Sequence, residues 1–139
     1  MDIEHFYIEK GRGFPLILLH GNGEDCDYFR GQIDEFSKQY HVYAIDTRGH
    51  GRTPRGDMPF TIRQFAGDLL EFMDEHQIEK AHLLGFSDGG NIAMVFALQN
   101  PGRIDRLILN GANLNADGVK QTTQLPIEIG YKLAKRFSE

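Results

Sequence analysis

The sequence predicts an α/β fold, a mostly parallel sheet covered by helices on both faces. Short apolar runs of strand length recur along the chain, as expected of strands that are buried on both faces. Segments with apolar residues at helical spacing separate these runs. Such alternation of strand and helix is typical of a parallel sheet whose crossover helices pack on its two faces.

Six strands are predicted along the chain. Residues 3–8 alternate loosely between apolar and polar side chains, and Gly11 and Gly13 then interrupt the pattern. The first two strands are therefore expected before the apolar run PLILL. The third to sixth strands are expected at residues 15–19, 41–46, 81–85 and 106–110.

Three helices are predicted between these strands. From about residue 27 to 38, Phe29, Ile33 and Phe36 are spaced three and four apart and share one helical face. Thr61 is a candidate N-cap for a second helix that ends near His76. Pro101-Gly102 ends the third helix. The expected packing faces are Ile62, Phe65, Leu69, Phe72 and Met73 in the second helix and Ile92, Ala93, Phe96 and Ala97 in the third.

Composition excludes several classes of function. The chain has 15 Lys and Arg against 20 Asp and Glu, and its scattered basic residues argue against a nucleic-acid or anionic membrane surface. Cys26 is the only cysteine, so one chain forms neither a disulfide nor a thiolate metal site. No metal or cofactor is predicted. The N-terminus lacks the apolar core of a signal peptide and no run has membrane-spanning length, so a soluble, cytoplasmic protein is expected.

The sequence GFSDGG, at residues 85–90, lies where a predicted buried strand ends and a helix begins. A serine at the tip of such a turn needs strained backbone angles, and glycines two positions away let strand and helix approach. Gly85 and Gly89 occupy those positions. Ser87 is therefore the candidate nucleophile, and an ordinary helix N-cap is the alternative.

The sequence HGNG, at residues 20–23, directly follows the predicted third strand. Acyl transfer needs backbone N–H groups that face the oxyanion of the tetrahedral intermediate. The amides of Asn22 and Asp88 are the candidate donors, because Asp88 opens a helix whose unpaired N–H groups favour negative charge. The Asp88 carboxylate has two interpretations, pairing with a cationic substrate group or with the helix dipole.

HGNG, DTRGHGRT and GFSDGG occur in the order of the α/β-hydrolase superfamily, and the chain resembles its N-terminal half, strands 1 to 6. GFSDGG, with LILNGAN after the next strand, is most similar to the biphenyl-hydrolase-like branch of small-molecule esterases. The resemblance implies that Ser87 attacks an acyl carbonyl, a histidine accepts its proton and a carboxylate orients that histidine.

The resemblance does not supply the last two groups, which in the family follow the seventh and eighth strands. His20 and His50 are expected to brace loops beside the oxyanion hole, and the other histidines are expected to be surface or packing residues. Asp46 is expected to hold the RGHG loop through backbone amides. Asp117 lies where a minority of related enzymes place their acid.

Two parts of the chain are distinguished by this resemblance. Residues 1–112 are expected to form the N-terminal half of the hydrolase core. Residues 113–139 begin with a polar stretch, and a weaker helical pattern follows over residues 125–137 as the start of a lid or a terminal helix. The sixth strand is expected to be an unpaired edge with Leu107 and Leu109 exposed, covered by a second copy, a C-terminal fragment or the segment after Asn113.

Two hypotheses about function follow. In the first, the chain belongs to a serine hydrolase of a small ester, thioester or lactone and has a small-molecule acyl substrate. In the second, it is a catalytically silent half-domain, a binding module or a pseudo-enzyme that needs a partner segment. They differ in whether a proton acceptor reaches Ser87.

Overall fold

The structure is a computed structural model that describes residues 1–110. This part of the chain forms a five-stranded sheet, three α-helices and two short 3₁₀ turns at Cys26–Phe29 and Pro101–Arg103. The strands are β1 (Tyr7–Lys10), β2 (Pro15–Leu19), β3 (His41–Ile45), β4 (Ala81–Phe86) and β5 (Ile104–Asn110). The helices are α1 (Arg30–Phe36), α2 (Ile62–Glu75) and α3 (Asp88–Gln99). Asp117 and the predicted helix at residues 125–137 lie outside the described residues.

The strands lie in the order β1-β3-β2-β4-β5. β1 pairs antiparallel with β3, and every other pair of neighbours is parallel. The predicted mostly parallel α/β sheet is therefore confirmed. Because parallel strands end at one edge of the sheet, the loops that follow Leu19, Ile45 and Phe86 all begin at the same edge.

Helices cover both faces of the sheet, as predicted. Alternate residues of β2 point to opposite faces, with Ile17 and Leu19 in one apolar cluster and Leu16 and Leu18 in the other. The first cluster contains the buried faces of α2 and α3, and the second contains that of α1. Every residue predicted to face the core from α1 and α3 is buried. Within residues 1–110, no helix is both long enough and apolar enough to cross a bilayer.

The ends of the helices follow from local chemistry. Thr61 is the N-cap of α2, and its hydroxyl accepts a hydrogen bond from the Gln64 amide at 3.1 Å. The predicted cap is confirmed. The helix ends at Glu75, one residue before the predicted end at His76.

The prediction of two strands before residue 15 was wrong, because only β1 precedes β2 in the described part of the chain. The segment before Tyr7 bonds instead to the loop after β3. The Asp2 carboxylate accepts hydrogen bonds from Arg48, and the Phe6 amide donates to the Thr53 hydroxyl at 2.9 Å. Side chains that hold the backbone in this way compete with strand pairing.

β5 lies at an edge of the described sheet, where it pairs with β4 alone. The prediction that Leu107 and Leu109 are exposed was wrong for Leu107, which is 6% exposed. Leu109 is partly buried. Both side chains pack against the cluster beneath α3, so that helix covers them without a further strand.

Candidate active site

Ser87 joins β4 to α3 through a sharp turn. Its φ of 55° and ψ of −119° lie in a region that non-glycine residues rarely adopt. The helix begins at the next residue, Asp88, and Ser87 is partly exposed. Within the described residues its side chain makes no capping hydrogen bond. The turn therefore holds Ser87 in a strained conformation without using its hydroxyl as a helix cap.

Two glycines allow the strand and the helix to approach this closely. A Cβ atom at Gly85 would overlap the Gly89 carbonyl oxygen, and a Cβ at Gly89 would overlap the carbonyl oxygen of Leu19 at the end of β2. The obstacles are backbone atoms, which have little freedom to move aside. Glycine is thus required at both positions by packing, as the spacing of GFSDGG predicts.

His20 is locked between the first two loops at this edge of the sheet. It is 1% exposed. Its Nδ1–H donates to the Gly21 carbonyl at 2.7 Å, while Nε2 accepts from the Thr47 amide at 3.0 Å. Burial lowers the pKa of the His20 imidazole below its ordinary value. Because both ring nitrogens already have partners, His20 braces these loops and is not placed to accept a proton from Ser87.

A small pocket lies between the loop after β2 and the start of α3. Asn22 and Asp88, the two predicted oxyanion-hole residues, both line it. Gly21 also lines this pocket and lies next to the nucleophile, because a Cβ on Gly21 would be 3.2 Å from Cβ of Ser87. Apolar side chains from α2 and α3 form the rest of the wall: Ile62, Phe65 and Ile92. The structure thus brings the three predicted site residues to one edge of the sheet.

The loop after β3 is held by two buried charged residues. Asp46 accepts hydrogen bonds from the amides of Cys26 at 2.7 Å and Arg52 at 2.8 Å. The predicted structural role of Asp46 is confirmed, because both of its carboxylate oxygens accept hydrogen bonds from backbone amides. This leaves its oxygens occupied in shaping the RGHG loop.

Arg48 was not singled out from the sequence. In the structure it is almost fully buried, at 1% exposed. Its guanidinium makes two hydrogen bonds to Asp68 on α2 and two to Asp2, and it donates to the Arg55 carbonyl at 3.1 Å. All five of its N–H donors are therefore used. The sequence did contain a signal for this ion pair. Arg48 lies in a glycine-rich loop, and Asp68 lies on the apolar face of the helix that follows. This network fastens the N-terminal segment and α2 to the loop beside the pocket.

Acid should weaken this network, because one of its members is a titrating carboxyl group. The Arg48 guanidinium, helped by the Asp57 amide, holds the pKa of the Asp2 carboxyl far below its ordinary 3.8. A carboxyl with a depressed folded-state pKa stabilises the fold above its unfolded pKa, and that stabilisation is lost as the pH falls toward the folded pKa. We therefore expect the urea concentration at the unfolding midpoint to decrease as the pH is lowered below about 4.

The matched control is the Asp2→Asn variant, which keeps the side-chain size and removes the titrating group. Between about pH 5 and pH 2, the urea midpoint of this variant should decrease less steeply with falling pH, because the contribution of Asp2 has been removed. It should still decrease, because the protein has other carboxyl groups. Equal slopes for the two proteins would contradict the assignment.

None of the six histidines donates to or accepts from the Ser87 hydroxyl among the contacts of residues 1–110. His50 lines the pocket together with His20. Its Nδ1–H donates to the Arg48 carbonyl at 3.0 Å, and its Nε2 lies 3.5 Å from Oδ1 of Asn22. The partner of His50 Nδ1 is therefore a backbone carbonyl, whereas a triad histidine needs a carboxylate at this nitrogen. The remaining histidines contact other groups: His5 with Phe72, His41 with Glu9, His76 with Tyr7 and His82 with Asp105.

Known proteins of similar structure include an esterase and a lactonase. The chain is similar to a marine microorganism esterase, with 34% identity, a TM-score of 0.73 and coverage of 77% of this chain and 41% of that one. It is also similar to the enol-lactonase from Burkholderia xenovorans LB400, with 32% identity, a TM-score of 0.73 and coverage of 76% and 42%.

A curated relative comes from Cupriavidus necator, the dihydrolipoyllysine-residue acetyltransferase component of its acetoin cleaving system. It is 38% identical over 99 residues, which are 70% of this chain and 26% of that protein. The chain therefore spans less than half the length of each of these three proteins. A family model described as alpha/beta hydrolase fold matches residues 15–137. With the strand order and the turn at Ser87, this match shows that the chain belongs to the alpha/beta hydrolase fold family.

Proposed function

We propose that this chain carries the nucleophile of a serine hydrolase that acts on a small ester, thioester or lactone by acyl transfer. The observation that carries the proposal is the strained backbone of Ser87, whose side chain makes no capping hydrogen bond. Strain of this kind persists where the surrounding structure enforces it. Here the close approach of strand and helix, which Gly85 and Gly89 allow, holds the turn in place. The similarity to an esterase and a lactonase supports this substrate class.

In this proposal the amides of Asn22 and Asp88 stabilise the oxyanion. Asp88 is the first residue of α3, so its N–H belongs to the unpaired group at a helix N-terminus. Asn22 lines the same pocket from the loop after β2. Together they would donate to the developing negative charge while Ser87 attacks, and losing one such donor costs about 3 kcal/mol of transition-state stabilisation.

The proton acceptor is proposed to come from outside these 139 residues. All six histidines of the chain lie within residues 1–110, and His20 and His50, which lie nearest the pocket, are held by other groups. A C-terminal fragment or a second copy that adds to the β5 edge would bring new side chains to the edge where Ser87 lies.

The engagement of His20 and His50 with other groups also favours one alternative function. Without a base in reach, the serine hydroxyl stays protonated and is a poor nucleophile. The chain by itself would then be a catalytically silent half-domain or binding module that needs a partner segment. The two candidates make the same claim about the turn at Ser87 and differ in what completes it.

Covalent labelling tests the proposal. A fluorophosphonate phosphonylates serines that an adjacent base activates, with fluoride as the leaving group. We expect one adduct, at Ser87, in a protein that joins this chain to the remaining strands of a hydrolase core. The 139-residue chain should stay unmodified at the same reagent concentration.

Intact mass and peptide mapping provide the readout, and the joined protein with Ser87→Ala provides the control. An adduct at another serine, or an adduct that survives Ser87→Ala, would remove Ser87 from the proposed role. Labelling of the 139-residue chain at Ser87 would show that one of its own histidines acts as the base.

A further inference from the structure

Two stacked aromatic rings border the turn at Ser87. Phe86 is the last residue of β4 and directly precedes the serine. Tyr28, in the 3₁₀ turn after β2, stacks on it with ring centroids 4.6 Å apart and planes inclined by 24°. Tyr28 is 43% exposed, which makes it one of the most exposed large apolar side chains in the described part of the chain. An aromatic surface is therefore open to ligands beside the candidate nucleophile.

Buried neighbours fix the position of both rings. Phe29, which is 3% exposed, meets Tyr28 edge to face with centroids 5.2 Å apart. Phe86 packs against the apolar cluster beneath α1. Rings held from behind in this way lose little freedom when a ligand stacks on them, so the ordering cost of binding is small.

The stacked pair lies within reach of the reacting centre. A Cβ atom on Gly21 would be 3.5 Å from Cδ1 of Phe86 and 3.2 Å from Cβ of Ser87. The Phe86 ring and the serine therefore flank the same glycine of the HGNG loop. Gly21 also lines the pocket of Asn22 and Asp88, so a group attached to a carbonyl at Ser87 has both the aromatic rings and that pocket within reach.

We infer that Tyr28 and Phe86 form a binding wall for a flat aromatic acyl group, which favours esters of aromatic acids over esters of aliphatic acids of similar size. The inference rests on the proposed function in taking Ser87 as the attacking residue. Aromatic rings gain from offset stacking or edge-to-face contact beyond the area they bury, whereas a puckered aliphatic ring gains from the buried area alone.

The pocket of Asn22 and Asp88 has a mixed lining of polar, aliphatic and aromatic side chains rather than an exposed stacked pair. Its apolar wall combines Ile62 and Ile92 with Phe65, whose ring meets Phe60 edge to face at 5.0 Å. Branched aliphatic side chains fit a compact group and do not present a flat face. The two surfaces thus differ in their side chains, and the flat group is assigned to the stacked rings of Tyr28 and Phe86.

Ligand binding to the 139-residue chain tests this assignment. The probes are methyl benzoate and methyl cyclohexanecarboxylate, which differ in the flatness and π-system of the ring. We expect methyl benzoate to shift the NMR resonances of the Tyr28 ring and the Gly21 and Ser87 amides, and to bind about fivefold more tightly than its cyclohexyl analogue. Tyr28→Ala should weaken methyl benzoate binding about fivefold and bring the two probes to equal affinity.

Phe14→Ala is the matched control, because Phe14 is 40% exposed and precedes the start of β2, at the opposite end of the strand from Gly21. It should leave binding unchanged, and circular dichroism should show that both variants are folded. Shifts centred away from Gly21, equal affinity for the two probes, or undiminished binding by Tyr28→Ala would overturn the inference.

This measurement reports binding alone and does not require a reactive serine. If the wall is absent while Ser87 of the joined protein is phosphonylated, the inference fails and the proposed function stands. If methyl benzoate binds at Tyr28 while Ser87 remains unlabelled, the proposed function fails and the wall is a binding site only.

Discussion

Replacing Ser87 by alanine should lower kcat for nitrophenyl acetate by a factor on the order of a million in a protein that joins this chain to the remaining strands of the hydrolase core. Members of a triad act as a unit, so removal of the attacking hydroxyl leaves only the catalysis contributed by the oxyanion hole and by substrate binding. The substitution removes one oxygen from a partly exposed side chain that caps nothing, so the fold should be unaffected.

The 139-residue chain should behave differently. We expect it to hydrolyse nitrophenyl acetate no faster than its own Ser87→Ala variant, since His20 uses both ring nitrogens and His50 lacks a carboxylate behind it. Turnover by the chain that disappears in Ser87→Ala would contradict this expectation. His50→Gln would then be the next variant to examine, because Nε2 of His50 lies beside the pocket.

The turn at Ser87 was predictable from sequence because its requirements are local. A strand of apolar residues, a helix with a packing face, and glycines on each side of a serine together specify the geometry of GFSDGG. The structure gives Ser87 a φ of 55° at the junction of β4 and α3, as that pattern predicts. The mostly parallel arrangement of the strands followed in the same way from the alternation of apolar runs and helical segments.

Features that depend on distant residues could not be predicted in this way. Arg48 joins Asp2 and Asp68, which lie 46 and 20 residues away along the chain, and no sequence period relates them. The same tie fastens the N-terminal segment to the loop after β3, and in the described part of the chain only β1 forms before Pro15. The contact of Tyr28 with Phe86 is similarly a product of the strand order, which places β2 beside β4.

Replacing Gly89 by alanine should destabilise the fold by about 3 kcal/mol or more. A Cβ atom at this position would overlap the carbonyl oxygen of Leu19 and lie 2.7 Å from that of His20. Both obstacles are backbone atoms at the end of β2. This central strand pairs on both sides, so its backbone cannot move aside to relieve the clash. Relief requires α3 to move away from the sheet, which opens the core beneath it. Urea unfolding followed by circular dichroism measures the loss.

Gly67→Ala is the matched control because it makes the same chemical change inside α2. A Cβ at Gly67 would meet nothing within 4 Å, so alanine should stabilise the protein by about 1 kcal/mol through helix propensity alone. Gly89 is the second residue of α3, so any gain in helix propensity there is at most that at Gly67, and a large loss of stability in Gly89→Ala reports the clash at the turn. A Gly89→Ala protein as stable as Gly67→Ala would mean that α3 does not approach β2 closely, and the enforced strain at Ser87 would lose its physical basis.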